Sequence, residues 1–242
     1  MTHELDLRRM LINRKHRKRQ KPPCHRWRVE VGNVVVWTRN VQYGERHHRQ
    51  WDSEALFFEA LRLGDDEQER QVELLTQAIA LTPRDADCYI NRGIARDALG
   101  DAEGALADYE QAIRLNPKRA EAWNNRGFLR HKQQRYADAI TDFDRAIELD
   151  PEYANPRVSR GAAYGMLGQH DRAMEDFQQA IEIAPDFLMA YVNRAAYNMN
   201  LGQLDEARKD LLWVLEQEPD DYTHSYVDQY LQMLDQQQKP KE

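Results

Sequence analysis

Gln111-Ala112-Ile113-Arg114-Leu115-Asn116-Pro117 returns 34 residues later as Arg145-Ala146-Ile147-Glu148-Leu149-Asp150-Pro151, and again as Gln179-Ala180-Ile181-Glu182-Ile183-Ala184-Pro185. Looser copies flank these three, Gln77 to Pro83 before them and Trp213 to Pro219 after them. Pro83, Pro117, Pro151, Pro185 and Pro219 thus mark a fixed interval, and self-similarity at such a period is the signature of stacked supersecondary units. Alignment on the prolines delimits four good units, 86–119, 120–153, 154–187 and 188–221, with a more divergent one over 51–85.

Each unit reads as two helices. In the first good unit the pattern predicts a helix from about Asp87 to Leu99, a turn at Gly100-Asp101, and a second helix from about Ala102 to Leu115. Proline then ends the second helix, because it disfavours helical geometry in the residue before it and removes a backbone donor. Ala105, Tyr109, Ala112 and Ile113 fall on one helical stripe, and the same columns hold Ala139, Phe143, Ala146, Ile147 and Ala173, Phe177, Ala180, Ile181. The first helices carry Gly93, Gly127, Gly161 and Ala195 in one column. Glycine inside a helix costs about 0.5 to 1 kcal/mol against alanine, so close approach of a neighbour is the expected reason for it.

Trp123, Gly127, Ala139, Phe143, Ala146 and Pro151 closely resemble the tetratricopeptide repeat, and the resemblance extends over about 170 of the 242 residues. It implies an all-α fold, a solenoid of αα-hairpins wound as a right-handed superhelix. One departure is consistent: Arg92, Arg126, Arg160 and Arg194 stand where the family has an apolar residue before the glycine. Each second helix carries an aspartate in one column, Asp108, Asp142, Asp176 and Asp210. Matched recurrence predicts interhelical ion pairs, within a unit or between neighbours; solvated surface charge is the alternative.

The resemblance further implies that the first helices line a concave groove that receives an extended peptide or a partner's helix. The column Asn91, Asn125, Ser159 and Asn193 is expected there, since an amide offers both donor and acceptor to a peptide backbone. Asp87, Ile90, Ile94, Asp97, Glu121, Asn124, Phe128, His131, Val158, Met189, Val192 and Met199 are expected beside it, a lining suited to a basic, partly apolar segment. Family members that hold a C-terminal carboxylate use Lys and Arg where this chain has Asn155 and Ser159, or Met189 and Asn193, so that clamp is incomplete.

The ends differ from the repeats. Residues 1–50 hold thirteen Lys/Arg against four Asp/Glu, a net of +9, and the remainder holds 21 against 37, a net of −16. Arg14, Lys15, Arg17, Lys18, Arg19 and Lys21 form a basic arm within residues 1–26, for which nucleic acid, an anionic membrane surface, the acidic array or plain solvation all remain open. Trp27 to Thr38 alternates around Gly32-Asn33 and predicts a β-hairpin within 27–50, packed through Trp37 or Trp51. Tyr222, Tyr226, Tyr230 and Leu234 predict a capping helix over 222–236, with Asp228, Gln229, Gln232 and Asp235 on its polar side, before a tail at 237–242.

Mean hydropathy is −0.87, and the longest apolar runs fall far short of the roughly 18 residues that span a bilayer. Arg8-Arg9 is followed by a basic run where a secretory signal needs apolar residues, so a cytoplasmic location is expected, without integral membrane association. Cys24-His25 and His47-His48 lack zinc-site spacing, and no nucleophile, phosphate-loop or dinucleotide motif occurs. The expectation is therefore a non-catalytic adaptor without cofactor or metal that binds a protein or peptide segment. The alternative is a nucleic-acid- or ribosome-associated factor working through residues 8–28, with the array recruiting a protein.

Overall fold

The computed structural model describes residues 26–31, 34–39, 45–64 and 66–238. The basic arm, the Gly32-Asn33 turn and the last four residues lie outside these, as do the side chains of Trp37 and Trp51. The chain divides into two compact units, one ending at Cys88 and the other beginning at Tyr89.

In the first unit, β1 (Arg26–Val31) pairs antiparallel with β2 (Val34–Arg39), Val31 opposite Val34. Two helices follow, α1 (Glu45–Ala60) and α2 (Gln68–Leu81). Phe57 and Ala60 from α1 and Leu74, Leu75, Ala78 and Ile79 from α2 are buried. Ser53 Oγ donates to the Ala78 carbonyl at 3.0 Å, tying the pair together. Helix α1 starts earlier than the expected boundary near 51, because no glycine or proline interrupts the chain between Gly44 and Gly64. The long connection to α2 is closed by Gln71, whose Nε2 donates to the Leu63 carbonyl at 3.2 Å.

The division between units falls inside α3 (Ala86–Ala98), after which helices alternate in pairs: α4 (Ala102–Leu115), α5 (Ala120–Lys132), α6 (Tyr136–Leu149), α7 (Ala154–Met166), α8 (His170–Ile183), α9 (Leu188–Asn200), α10 (Leu204–Glu216) and α11 (Asp221–Gln238). The unit is thus a solenoid of αα-hairpins, and its core is the set of columns that recur in the sequence. Ala105, Tyr109 and Ala112, then Ala139, Phe143 and Ala146, then Ala173, Phe177 and Ala180 are all buried. Gly127 exists for contact: a Cβ there would lie 2.7 Å from Phe143 Cε1, so α5 and α6 close only around a bare backbone. The turns between paired helices also repeat, with Gly100, Gly168 and Gly202 at φ of 80°, 70° and 75°. In the second good unit the same left-handed position holds Gln134, at φ 63°.

The cap helix buries a different stripe from the one its tyrosines mark. Val227 and Leu234 are fully buried, with Tyr226, Tyr230 and Leu231 packed beside them, while Tyr222 is exposed. Residues four apart drift by about 40° per step around a helix, so a run of three steps cannot stay on one contact face. The contact stripe instead runs through Thr223, Val227, Tyr230 and Leu234 in steps of four and three.

Candidate functional site

Four guanidinium groups grip four carboxylates sixteen residues on, each with the same two nitrogens. Arg92 Nε and Nη2 donate to Asp108 at 2.9 and 2.6 Å, Arg126 to Asp142 at 3.0 and 2.7 Å, Arg160 to Asp176 at 2.9 and 2.6 Å, and Arg194 to Asp210 at 2.8 and 2.7 Å. The planar fork matches the carboxylate, and one arm of each pair comes from a first helix and the other from the second helix of the same unit. All four aspartates are buried, so each brace is shielded from water.

The four forks are extended in two ways. In the first two units a second arginine one turn later shares the aspartate, Arg96 Nη1 reaching Asp108 and Arg130 Nη1 reaching Asp142, both at 2.8 Å. In the next two units Tyr164 and Asn198 occupy that place, and the column arginine reaches backward: Arg160 Nη1 donates to Asp144 at 2.6 Å and Arg194 Nη1 to Gln178 Oε1 at 2.7 Å. Burial weakens the charge on Arg160, but hydrogen bonds to Asp176 and Asp144 outweigh it and hold the guanidinium pKa above its ordinary value. Hydrogen bonding to Asp210 does the same for Arg194.

A further device repeats with unlike residues. Trp123 Nε1 donates to the Pro117 carbonyl at 3.0 Å, Arg157 Nη1 to the Pro151 carbonyl at 2.7 Å, and Tyr191 OH to the Pro185 carbonyl at 3.3 Å. Each donor lies six residues after its proline and closes the entry to the next first helix. Sequence reading did not find this contact, since its only signal was a column of donors of different chemistry.

The residues expected in the groove sort by burial. Ile90, Val158, Val192 and Met199 are buried and are corrected to packing residues, because the apolar stripe of each first helix is wider than one recurrent column; Asn124 is buried too, its Nδ2 donating to the Tyr153 hydroxyl at 3.4 Å. Asp87 belongs to the unit that ends at Cys88. Ile94 is 36% exposed, Phe128 48% and Met166 60%, on three successive first helices, although the sequence pattern does not single out Met166. Lys132 Nζ crosses from α5 to Asp97 on α3 at 2.7 Å and lies 6.0 Å from the Phe128 ring centre. Glu121 lies 3.5 Å from Arg119, and Met189 is partly buried against the core around Val192.

The polar column is less uniform than its sequence. Asn193 Nδ2 donates to its own helix, at the Met189 carbonyl, at 2.7 Å. Ser159 Oγ donates to Asn155 Oδ1 at 3.4 Å, and Asn125 Oδ1 accepts from Asn124 Nδ2 at 3.2 Å. His131 packs edge-on against Tyr136 with centroids 5.2 Å apart; its buried Nε2 has no hydrogen-bond partner, and burial pushes its pKa below the usual histidine value. Among the described residues no group of three His, Cys, Asp or Glu side chains is placed to hold a metal ion, and no helix is long and apolar enough to cross a membrane.

Two repeat-family profiles match the chain, one described as Tetratricopeptide repeat over residues 120–153 and 157–187 and one as TPR repeat over residues 98–134. No curated protein matches significantly. Among solved structures, MamA is similar at 25% identity, covering 63% of this chain and 90% of its own, with a TM-score of 0.53. TTC0263, a thermophilic TPR protein of Thermus thermophilus, is similar at 19% identity, covering 77% and 98%, with a TM-score of 0.63. Pseudomonas aeruginosa pilF is similar at 17% identity, covering 79% and 94%, also with a TM-score of 0.63. Arrays of this kind generally mediate protein–protein interactions and are typically non-catalytic scaffolds. Period, packed columns, profile matches and fold together identify tetratricopeptide repeats in this chain, matched by the family profiles over residues 98–153 and 157–187.

Proposed function

We propose that this chain is a non-catalytic scaffold that holds a protein segment on the first-helix face of the unit beginning at Tyr89. One observation carries the reading: Ile94, Phe128 and Met166 stay exposed on successive first helices while the small and aromatic columns around them are fully buried. Covering such side chains yields about 1.5 to 3 kcal/mol each, so an apolar row on a ready-packed face favours an occupant. Met166 adds a flexible side chain that adapts to the occupant's shape.

The polar contribution concentrates at Asn125. Its Oδ1 accepts from Asn124, and its Nδ2 makes no hydrogen bond among the described residues, whereas the amide nitrogen of Asn193 is spent on its own helix. Basic residues of the segment would meet Asp97 and Glu121 only in competition with Lys132 and Arg119. Apolar contact therefore sets affinity here more than charge does.

Affinity purification with the full chain tests this reading. The triple variant Ile94→Ser, Phe128→Ser, Met166→Ser is expected to lose the captured partner while keeping wild-type helicity, and Asn125→Ala to weaken capture by less. Equal capture by the triple variant would refute it.

A further inference from the structure

The last helix carries tyrosines in three columns where the two first helices before it, α7 and α9, carry small or aliphatic residues. Tyr226 and Tyr230 stand 34 residues after Val192 and Ala196, so the column Ile94, Phe128, Ala162, Ala196 continues into Tyr230. Tyr222, Tyr226 and Tyr230 follow one another along α11. The first two rings are nearly parallel, 9° apart with centroids separated by 6.2 Å, and Tyr226 meets Tyr230 edge-on at 5.1 Å. Tyr226 and Tyr230 are seated against the core around Leu211, Val227 and Leu234, while Tyr222 is 73% exposed. The rings thus form a platform supported from below.

Along the sequence, the formal charge of this helix and of the stretch before it has one sign. From Leu211 to Gln238 the sequence holds six Asp/Glu and no Lys or Arg. Asp235 accepts from Arg208 at 2.6 Å, and Asp220 caps α11 by accepting from the Thr223 N–H at 2.7 Å. Glu218 and Asp221, beside Tyr222 in sequence, carry no ion pair among the described residues. An aromatic face is the negative side of a quadrupole, so rings and carboxylates together favour a cation and disfavour an anionic or purely apolar occupant. The array already uses this contact internally: Arg126 lies 4.9 Å from the Trp123 ring centre and Arg194 lies 5.6 Å from that of Tyr191.

We infer that the tyrosine face of α11, with Glu218 and Asp221 at its head, docks a cationic segment of a partner protein and takes arginine or lysine side chains onto Tyr222 and Tyr226. Arginine suits the site better, because its flat, weakly hydrated guanidinium stacks on a ring and still donates to a carboxylate. The inference rests on the first-helix face as the docking side and extends it to the C-terminal end of the array.

Fluorescence anisotropy with the full chain tests it, using a labelled peptide of four Gly-Arg repeats and its neutral citrulline counterpart. The arginine peptide is expected to bind and the citrulline peptide not to. Tyr222→Leu and Tyr226→Leu should each weaken binding roughly threefold to fivefold, and Leu99→Ser, at an exposed position outside both faces, should leave it unchanged. Tyr222→Leu alters an exposed side chain, so its melting curve should match wild type. No binding of the arginine peptide at low salt, equal binding of the citrulline peptide, or wild-type affinity in both tyrosine variants would overturn the inference. Should Phe128→Ser leave natural-partner capture intact while the tyrosine variants weaken peptide binding, the apolar-row reading falls and the cationic site stands.

Discussion

Arg160 donates from Nη1 to Asp144 Oδ1 at 2.6 Å across the joint between two repeat units, while its other two nitrogens hold Asp176 within its own unit. One side chain thus serves both the closing of a hairpin and the stacking of hairpins. The two carboxylates differ in setting: the Asp176 side chain is 4% exposed and that of Asp144 is 46% exposed.

That contrast predicts unequal costs. Asp176→Ala should destabilise the protein by about 2 to 3 kcal/mol, because it leaves a partly buried guanidinium without its fork partner. Asp144→Ala should cost less than about 1 kcal/mol and should matter less still in high salt. Denaturant unfolding of both variants at two salt concentrations checks this, and equal costs would contradict it.

Gln134 occupies the left-handed turn position that glycine fills in the three equivalent turns. Gln134→Gly should therefore stabilise the protein by roughly 0.5 to 1 kcal/mol, the relief of backbone strain exceeding the added freedom of the unfolded chain. A higher midpoint in urea is the expected result. A lower one would mean that the glutamine side chain makes a contact worth more than the strain.

His131 carries a pH signature. Burial lowers its pKa in the folded protein, so below the unfolded value near 6.5 the unfolded chain takes up a proton that the folded chain resists. This contribution to stability is intact above that value and is lost as pH falls through it, down to the folded pKa. The stability of His131→Gln relative to wild type should then be constant above about pH 7.5 and should shift in favour of the variant below about pH 6.5. Unfolding free energies at pH 8, 6 and 5 test it; a pH-independent difference would contradict it.

The repeat period made helix order and the packed columns readable, because Gly127, Ala139, Phe143 and Ala146 each have one job that only a small or a flat residue performs. The aspartate sixteen residues after each column arginine was equally visible as a column. Which nitrogen leaves the unit was not, since the reach of Arg160 to Asp144 and of Arg194 to Gln178 depends on how successive hairpins rotate and on the loss of the second arginine at Tyr164 and Asn198. The groove was legible only in outline. Val158, Val192 and Met199 lie outside the recurrent small and aromatic columns, yet they are buried in the same clusters as the second helix of their own hairpin. Asn193 likewise looks available until its amide is seen turned to the Met189 carbonyl.

Site-specific photocrosslinking tests the central claim most directly. A benzophenone side chain would replace Phe128 on α5 in one variant and the exposed Glu148 on α6 in another, each in the full chain exposed to the captured partner. The first-helix reading predicts a partner adduct from position 128 and none from position 148. An adduct from position 148 alone would place the partner on the second-helix face and contradict the account.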